Sequence, residues 1–470
     1  MAIALSQTPS TPFDQVYGAN PVTLTGLSTI SPLPNKYVLQ ILRGGQIIGD
    51  VRQAPNSIGR AVFDIQNILQ NFVAPSPNNV EVTGYIGTKL ISSQNETVEY
   101  QIRIGYETSG VVAGLQTYNV KFVGVGGSKP YFEVPYPNAE FIPNINNGGP
   151  CSSVTKQGRP FSDMENYRLA SQITDGKPSW LTGAMRVYDH YVTRDDMETL
   201  SYWNSPTVTG SLPNNTKSIE AITVWQYVAG GSTALAPNVI YNTISNGGGP
   251  NPTPGSGTIV QYPYWAITAG VGPKNLNGIL NAGTTHYYVA TNAYTYPNGC
   301  VSQIQGLGDG PMHYVHRFNI IEESCNDFPE IQVSWLNSYG FRDYYSFRKR
   351  HDRNVSIGRN TYLQEAANYN GTGYNVNIYD RGTTTYSQDL GQEFIAFTDF
   401  LSDADALFLE KLFISADVKV RFNDSADEQY QWVPVTLMNK TYTEKTVRKN
   451  KLFQYDITFR IAHNIKSQRG

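Results

Sequence analysis

Three stretches carry residue types able to do chemistry: His313 and His316 (HYVH), Asp189-His190 followed by Asp195 and Asp196, and the run Arg348-Lys349-Arg350-His351-Asp352-Arg353. Histidines at i and i+3 share a metal only on a helix, whereas Tyr314, Val315 and Phe318 read as a strand and no acid stands at ligand spacing. No metal is therefore assigned to the pair. Asp189-His190 has no accompanying nucleophile elbow; with Thr193 as a cap ahead of Asp195 and Asp196, it reads as a charge pair and a helix start. Gly306, Gly308 and Gly310 (GLGDG) lack both the dinucleotide-binding spacing and a following helix, and Gly126-Gly127-Ser128-Lys129 lacks the P-loop order. On a strand, Arg348 and Arg350 would share a face and could meet phosphates or a neighbour's carboxylates. In a chain of net charge −3 and isoelectric point near 6.1 the expectation is a solvated or intersubunit charge cluster. Cys151, Cys300 and Cys325 are odd in number and widely spaced, which is no disulfide framework, and they are expected to be reduced. No catalytic, cofactor-binding or metal residue is assigned, and no enzymatic activity or specific nucleic-acid binding is expected.

What must position these side chains is a β scaffold. Charged residues make up 16% of the chain and aromatics 12%, with 32 Tyr among Gly, Pro, Asn, Ser and Thr, a mixture of strand and turn formers. At 470 residues, two or three domains are expected. No signal-peptide pattern opens the chain and no 18 apolar residues run together, so synthesis in a cytoplasm without membrane insertion is expected.

Three regions follow: 20–126, 127–326 and 327–470. In the first, Lys36 to Leu42 and Gln46 to Arg52 flank Arg43-Gly44-Gly45, a hairpin signal. Asp64 then caps a short helix with Ile65, Ile68, Leu69 and Phe72 as its apolar stripe, ended by Pro75 and Pro77. Val98 to Glu107 alternates with period two, with Val98, Tyr100, Ile102, Ile104 and Tyr106 inward. In the last region, Ser402 and Asp405 resemble a capping box for a helix over Asp403 to Ile414, with Ala404, Leu407, Phe408 and Leu412 as the stripe and Leu409 and Phe413 widening it. Strands are expected over 417–422, 432–437 and 440–445, with Pro434 requiring an edge or a bulge. Leu452 to Ala462 alternates with Phe453, Tyr455, Ile457, Phe459 and Ile461 inward. A capped helix followed by a long alternating strand at both ends fits either a duplication or two independent β domains. The fold class expected is mainly β: two antiparallel barrel or sandwich modules, each with a short helix, separated by a loop-rich β middle. Over 258–312 that middle holds only Lys274 and Asp309 as charged residues, beside Tyr262, Tyr264, Tyr287, Tyr288, Tyr294 and Tyr296. Such a surface suits contact with a protein or a sugar, and an unpacked insertion is the competing reading.

Asn20 to Phe72 (with YVLQILRGGQIIGDVRQAPN and AVFDIQNILQNF), Pro329 to Phe347 (PEIQVSWLNSYGFRDYYSF) and Leu401 to Asn464 (with LSDADALFLEKLFIS, WVPVTLMNKTYTEKT and LFQYDITFRIAHN) together resemble structural virion proteins of short-tailed crAss-like phages that infect Bacteroidetes bacteria. The resemblance spans both ends and about half of the chain. It implies a tail hub or ring subunit in the virion, made in the host bacterial cytoplasm and placed by contacts with copies of itself and other tail proteins. It carries no catalytic residue. The rival expectation is carbohydrate or receptor binding through the Tyr-rich middle.

Overall fold

Successive glycines open the first hairpin. Gly44 and Gly45 have φ of +55° and +84°, the two positive values that a two-residue turn of the type favoured by strand twist requires. They join β1 (Lys36–Arg43) to β2 (Gln46–Gln53), as the sequence predicts. The computed structural model describes residues 3–7, 13–15, 22–26, 35–74, 90–93, 97–125, 161–164, 186–203, 217–229, 238–242, 244–245, 258–259, 266–295, 314–321, 329–363, 368–369, 372–375, 382–401, 403–422, 432–439, 454–462 and 465–466.

The described elements are mainly strands in several largely antiparallel sheets. The chain forms two units: 1–324 with 335–344, and 325–334 with 345–470. Unit 1 thus takes in both the 20–126 and the 127–326 stretches. Its first sheet continues through α1 (Gln66–Leu69), β3 (Thr97–Thr108) and β4 (Val111–Val125), in the order β4-β3-β1-β2, with Phe13–Gln15 beyond β4. Asp64 is not the cap residue: Ile65 holds that position without a side-chain cap, while the Asp64 carboxylate, one residue earlier, accepts the Gln66 N–H at 3.0 Å, and the helix is one turn continued by a 3-10 turn to Phe72. Ile65 and Leu69 are buried, and Ile68 and Phe72 pack at the margin of a core built from Tyr37, Leu39, Ile41, Val98, Tyr100, Ile102 and Ile104. A second hairpin turn at Ser109-Gly110, also with both φ positive, joins β3 to β4. The Ser-Gly dipeptide was its available signal.

The middle sheet of unit 1 is built from β5 (Arg186–Val192), β7 (Lys217–Val228), β8 (Asn238–Asn242), β10 (Thr284–Thr295) and β11 (Tyr314–Ile320), in the order β5-β11-β10-β7-β8. β5 and β11 run parallel. Beside this sheet, β6 (Thr199–Trp203) pairs with β9 (Ala266–Gly270).

The last sheet, mostly of unit 2 residues, is built from β12 (Ile331–Leu336, its last two residues in unit 1), β13 (Arg342–Phe347, its first three in unit 1), β14 (His351–Leu363), β15 (Thr383–Phe397), β16 (Val418–Phe422), β17 (Val433–Leu437), β18 (Asp456–Ile461) and the short β19 (Ile465–Lys466). The order is β13-β12-β16-β17-β18-β15-β14, with β19 on β15. α2 spans Asp403–Ile414 as expected, but its buried face is rotated: Ala406, Phe408, Leu409 and Leu412 are buried while Leu407 is only half-buried. β18 keeps the period-two pattern, with Ile457 and Phe459 buried and Asp456 and Arg460 exposed. Pro434 is not on an edge strand: β17 is flanked by β16 and β18, and the proline lies before the β18 pairing begins at Val435. Ser402, Leu452, Phe453 and the 440–445 strand lie outside the described residues. The two alternating strands differ in connectivity, since β3 pairs with the first strand of the hairpin preceding α1 and β18 with the second strand of the hairpin preceding α2. Alternation is shared because one face of each strand is buried; topology is not.

Candidate functional site

Parallel register sets His190 beside Phe318 and Tyr188 beside His316, so all four side chains fall on one face of the middle sheet. The His190 ring stacks on Phe318 at 4.2 Å. His190 Nδ1 lies 2.8 Å from Glu198 Oε2, and His190 Nε2 lies 2.8 Å from His316 Nδ1. A carboxylate at Glu198 can only accept, so His190 donates from Nδ1, His190 Nε2 accepts from the His316 Nδ1–H, and His316 Nε2 is left as a bare acceptor. That last nitrogen is buried without a hydrogen-bond partner. Burial first, and His190 second, hold the His316 imidazole well below its ordinary pKa. A general-base relay would need a hydroxyl or thiol at this position, and none is within reach among the described residues. Among the described residues the hydrogen-bond chain Glu198–His190–His316 ends at His316 Nε2, and it braces β5, β11 and the segment that bears Glu198.

Glu198 is held from the loop after β9. Asn275 Oδ1 accepts the Glu198 N–H at 3.0 Å, and the Glu198 carbonyl accepts from Val271 and Gly272. The helix start expected at Thr193 is instead a turn: the Thr193 N–H donates to Asp196 Oδ2 at 2.8 Å, so the aspartate satisfies the threonine backbone and no helix follows. Asp189 does not pair with His190 but lies on the opposite face, where its carboxylate takes two N–H bonds from Arg317 and one from Asn319. Of the tyrosines expected at a contact surface, Tyr287 is in the core and Tyr288 is 1% exposed. Tyr262, Tyr264 and Tyr296 lie outside the described residues.

A second buried cluster joins residues 180 positions apart. Asp343 Oδ2 accepts the Asp163 N–H at 2.9 Å, and Asp163 Oδ2 accepts from the Ser338 N–H and hydroxyl. Burial pushes the Asp343 carboxyl up to about 8, and the Asp163 charge pushes in the same direction. Around it, Asn337 Nδ2 donates to the Phe161 carbonyl, and Phe161 stacks on Phe341 at 4.7 Å. No pattern in the sequence marks this pair, because neither aspartate has a distinctive local neighbourhood.

The basic run is dismantled into local ion pairs. Arg348 to Arg350 follow β13 in a turn and not on a strand, and Arg348 is buried against Glu330 at 3.1 Å. Lys349 pairs with Asp399, and Arg350 with Asp352. His313, the three cysteines and both glycine-rich stretches lie outside the described residues. Among the described residues no group of three or more His, Cys, Asp or Glu is placed to hold a metal ion, and no helix is long and apolar enough to cross a membrane.

Among the described residues, a long exposed strand lies at the end of the unit 2 sheet. β14 ends the sheet, and from Arg353 to Leu363 every residue is exposed. Val355 (47%), Ile357 (51%) and Leu363 (82%) are prominent in it, and Tyr386 on β15 adds to the patch. On one face the register places Val355 and Ile357 opposite Gln392 and Leu390, with Arg353 over the Phe394 ring. Searches for similar proteins yield no matching family model and no matching curated protein.

Proposed function

We propose that this chain is a structural virion component of a bacteriophage tail, a hub or ring subunit that works through contacts with copies of itself and with other tail proteins. The observation that carries this reading is the exposed outer strand β14, which among the described residues is paired on one side alone. Long unblocked edges are aggregation templates, so an exposed edge of this length is best explained by a partner that covers it. The phrases that resemble crAss-like tail proteins support the same reading. The test is a particle image of the purified chain together with mass spectrometry of purified virions. Rings or clusters of one size and presence in the tail are expected; a monomer absent from virions overturns the proposal.

One observation favours carbohydrate or receptor binding as a second reading. On the face of the middle sheet that bears Asp189, Arg317 and Asn319, Tyr191 is 48% exposed and Trp225 is half-buried. Flat aromatic rings beside planar polar groups suit sugar stacking. Glycan-array binding lost in Tyr191→Ala would support it, and no binding by the wild-type chain would end it.

A further inference from the structure

The edge of β14 has a feature that the assembly reading alone does not use: its charges restrict how it can pair. We propose that two copies of this chain associate by antiparallel pairing of β14 with β14 about a two-fold axis at Ile357, extending the sheet of unit 2 across both copies. This rests on the assembly reading and names the partner.

An occupant of this edge must bring its own row of backbone donors and acceptors, because among the described residues nothing pairs with the outer side of this 13-residue strand, which holds no proline. The opposite edge of the same sheet cannot serve, since every residue of β13 is buried. The exposed edge β2 has only eight residues. A second β14 matches in length over all 13 residues.

Two-fold pairing perpendicular to the sheet keeps each face on its own side, so the residue on the axis sets the register. An axis at Ser356 places Arg353 opposite Arg359 twice, which like-charge repulsion disfavours. An axis at Val355 leaves Tyr362 and Leu363 unpaired. With the axis at Ile357, Leu363 pairs with His351, Tyr362 with Asp352, Thr361 with Arg353 and Arg359 with Val355, so no like formal charges oppose one another. Ile357, half-exposed in one copy, meets its own counterpart on the axis.

The full chain carrying Ile357→Cys, treated with a short bis-maleimide, should give a covalent dimer well above the wild-type background from native cysteines. Leu363→Cys should not, because its counterpart lies at the far end of the paired strands; linking of both variants would show an in-register parallel arrangement and overturn the antiparallel pairing. Ile357→Lys should leave the circular dichroism spectrum unchanged and weaken dimerisation about tenfold or more in mass photometry. A wild-type chain that oligomerises while Ile357→Cys links no better than wild type overturns the edge pairing and leaves the assembly reading standing. A wild-type chain that is monomeric at every concentration overturns both.

Discussion

Replacing Asp343 by Asn should remove much of the loss of stability that unit 1 suffers as the pH rises. The native carboxyl is buried beside Asp163, and its pKa moves from 3.8 up to about 8. Because the folded value lies above the unfolded one, its contribution is complete below about pH 4 and is lost progressively as the pH climbs through 8. Each pH unit inside that window carries at most about 1.4 kcal/mol. Asp163 shares the same electrostatic field, so the two titrate as a pair and the total effect is on the order of a few kcal/mol. Asn is neutral at every pH and keeps an oxygen to accept the Asp163 N–H. Thermal midpoints followed by circular dichroism should be close for the two proteins near pH 4, and the variant should melt higher by several degrees near pH 8. Parallel curves for wild type and Asp343→Asn across pH 4 to 8 would refute the claim that a buried, repelled carboxyl governs this slope.

His316 predicts the opposite dependence: its folded pKa is depressed, so stability is present above pH 6.5 and lost below it, and His316→Gln should flatten the acid limb of a stability-against-pH curve. Leu412→Ala, at a fully buried α2 position, should cost about 2–5 kcal/mol in chemical denaturation, and Leu407→Ala clearly less. Ile457→Asp puts an unpaired charge where 1% of the side chain is exposed and should leave unit 2 protease-sensitive. A methyl group at Gly272 would strike the Glu198 backbone nitrogen and lie 2.7 Å from the Asp196 carbonyl, so Gly272→Ala should destabilise unit 1 by about 1–3 kcal/mol and alter the His190 ring signals in NMR spectra.

Local chemistry alone determined a good deal here. The Gly44-Gly45 turn follows from positive φ, β3 and β18 from period-two alternation, and α1 and α2 from their helical spacing. Each of these signals spans a dozen residues or fewer, so neighbours in sequence carry it. The face that α2 buries was legible only to within part of a turn, because Leu407 and Leu409 are equally apolar and the surrounding sheet chooses between them. Three facts were decided only by tertiary structure. His190 meets His316 across 126 residues through a parallel register, and no local pattern encodes which distant strand becomes a neighbour. Tyr287 and Tyr288 are adjacent, point to opposite faces and are both buried, which an uncharged Tyr-rich stretch does not announce. Finally, no strand over His351 to Leu363 is read from the sequence, and its place at the end of the described sheet is settled by the pairing of the other described strands.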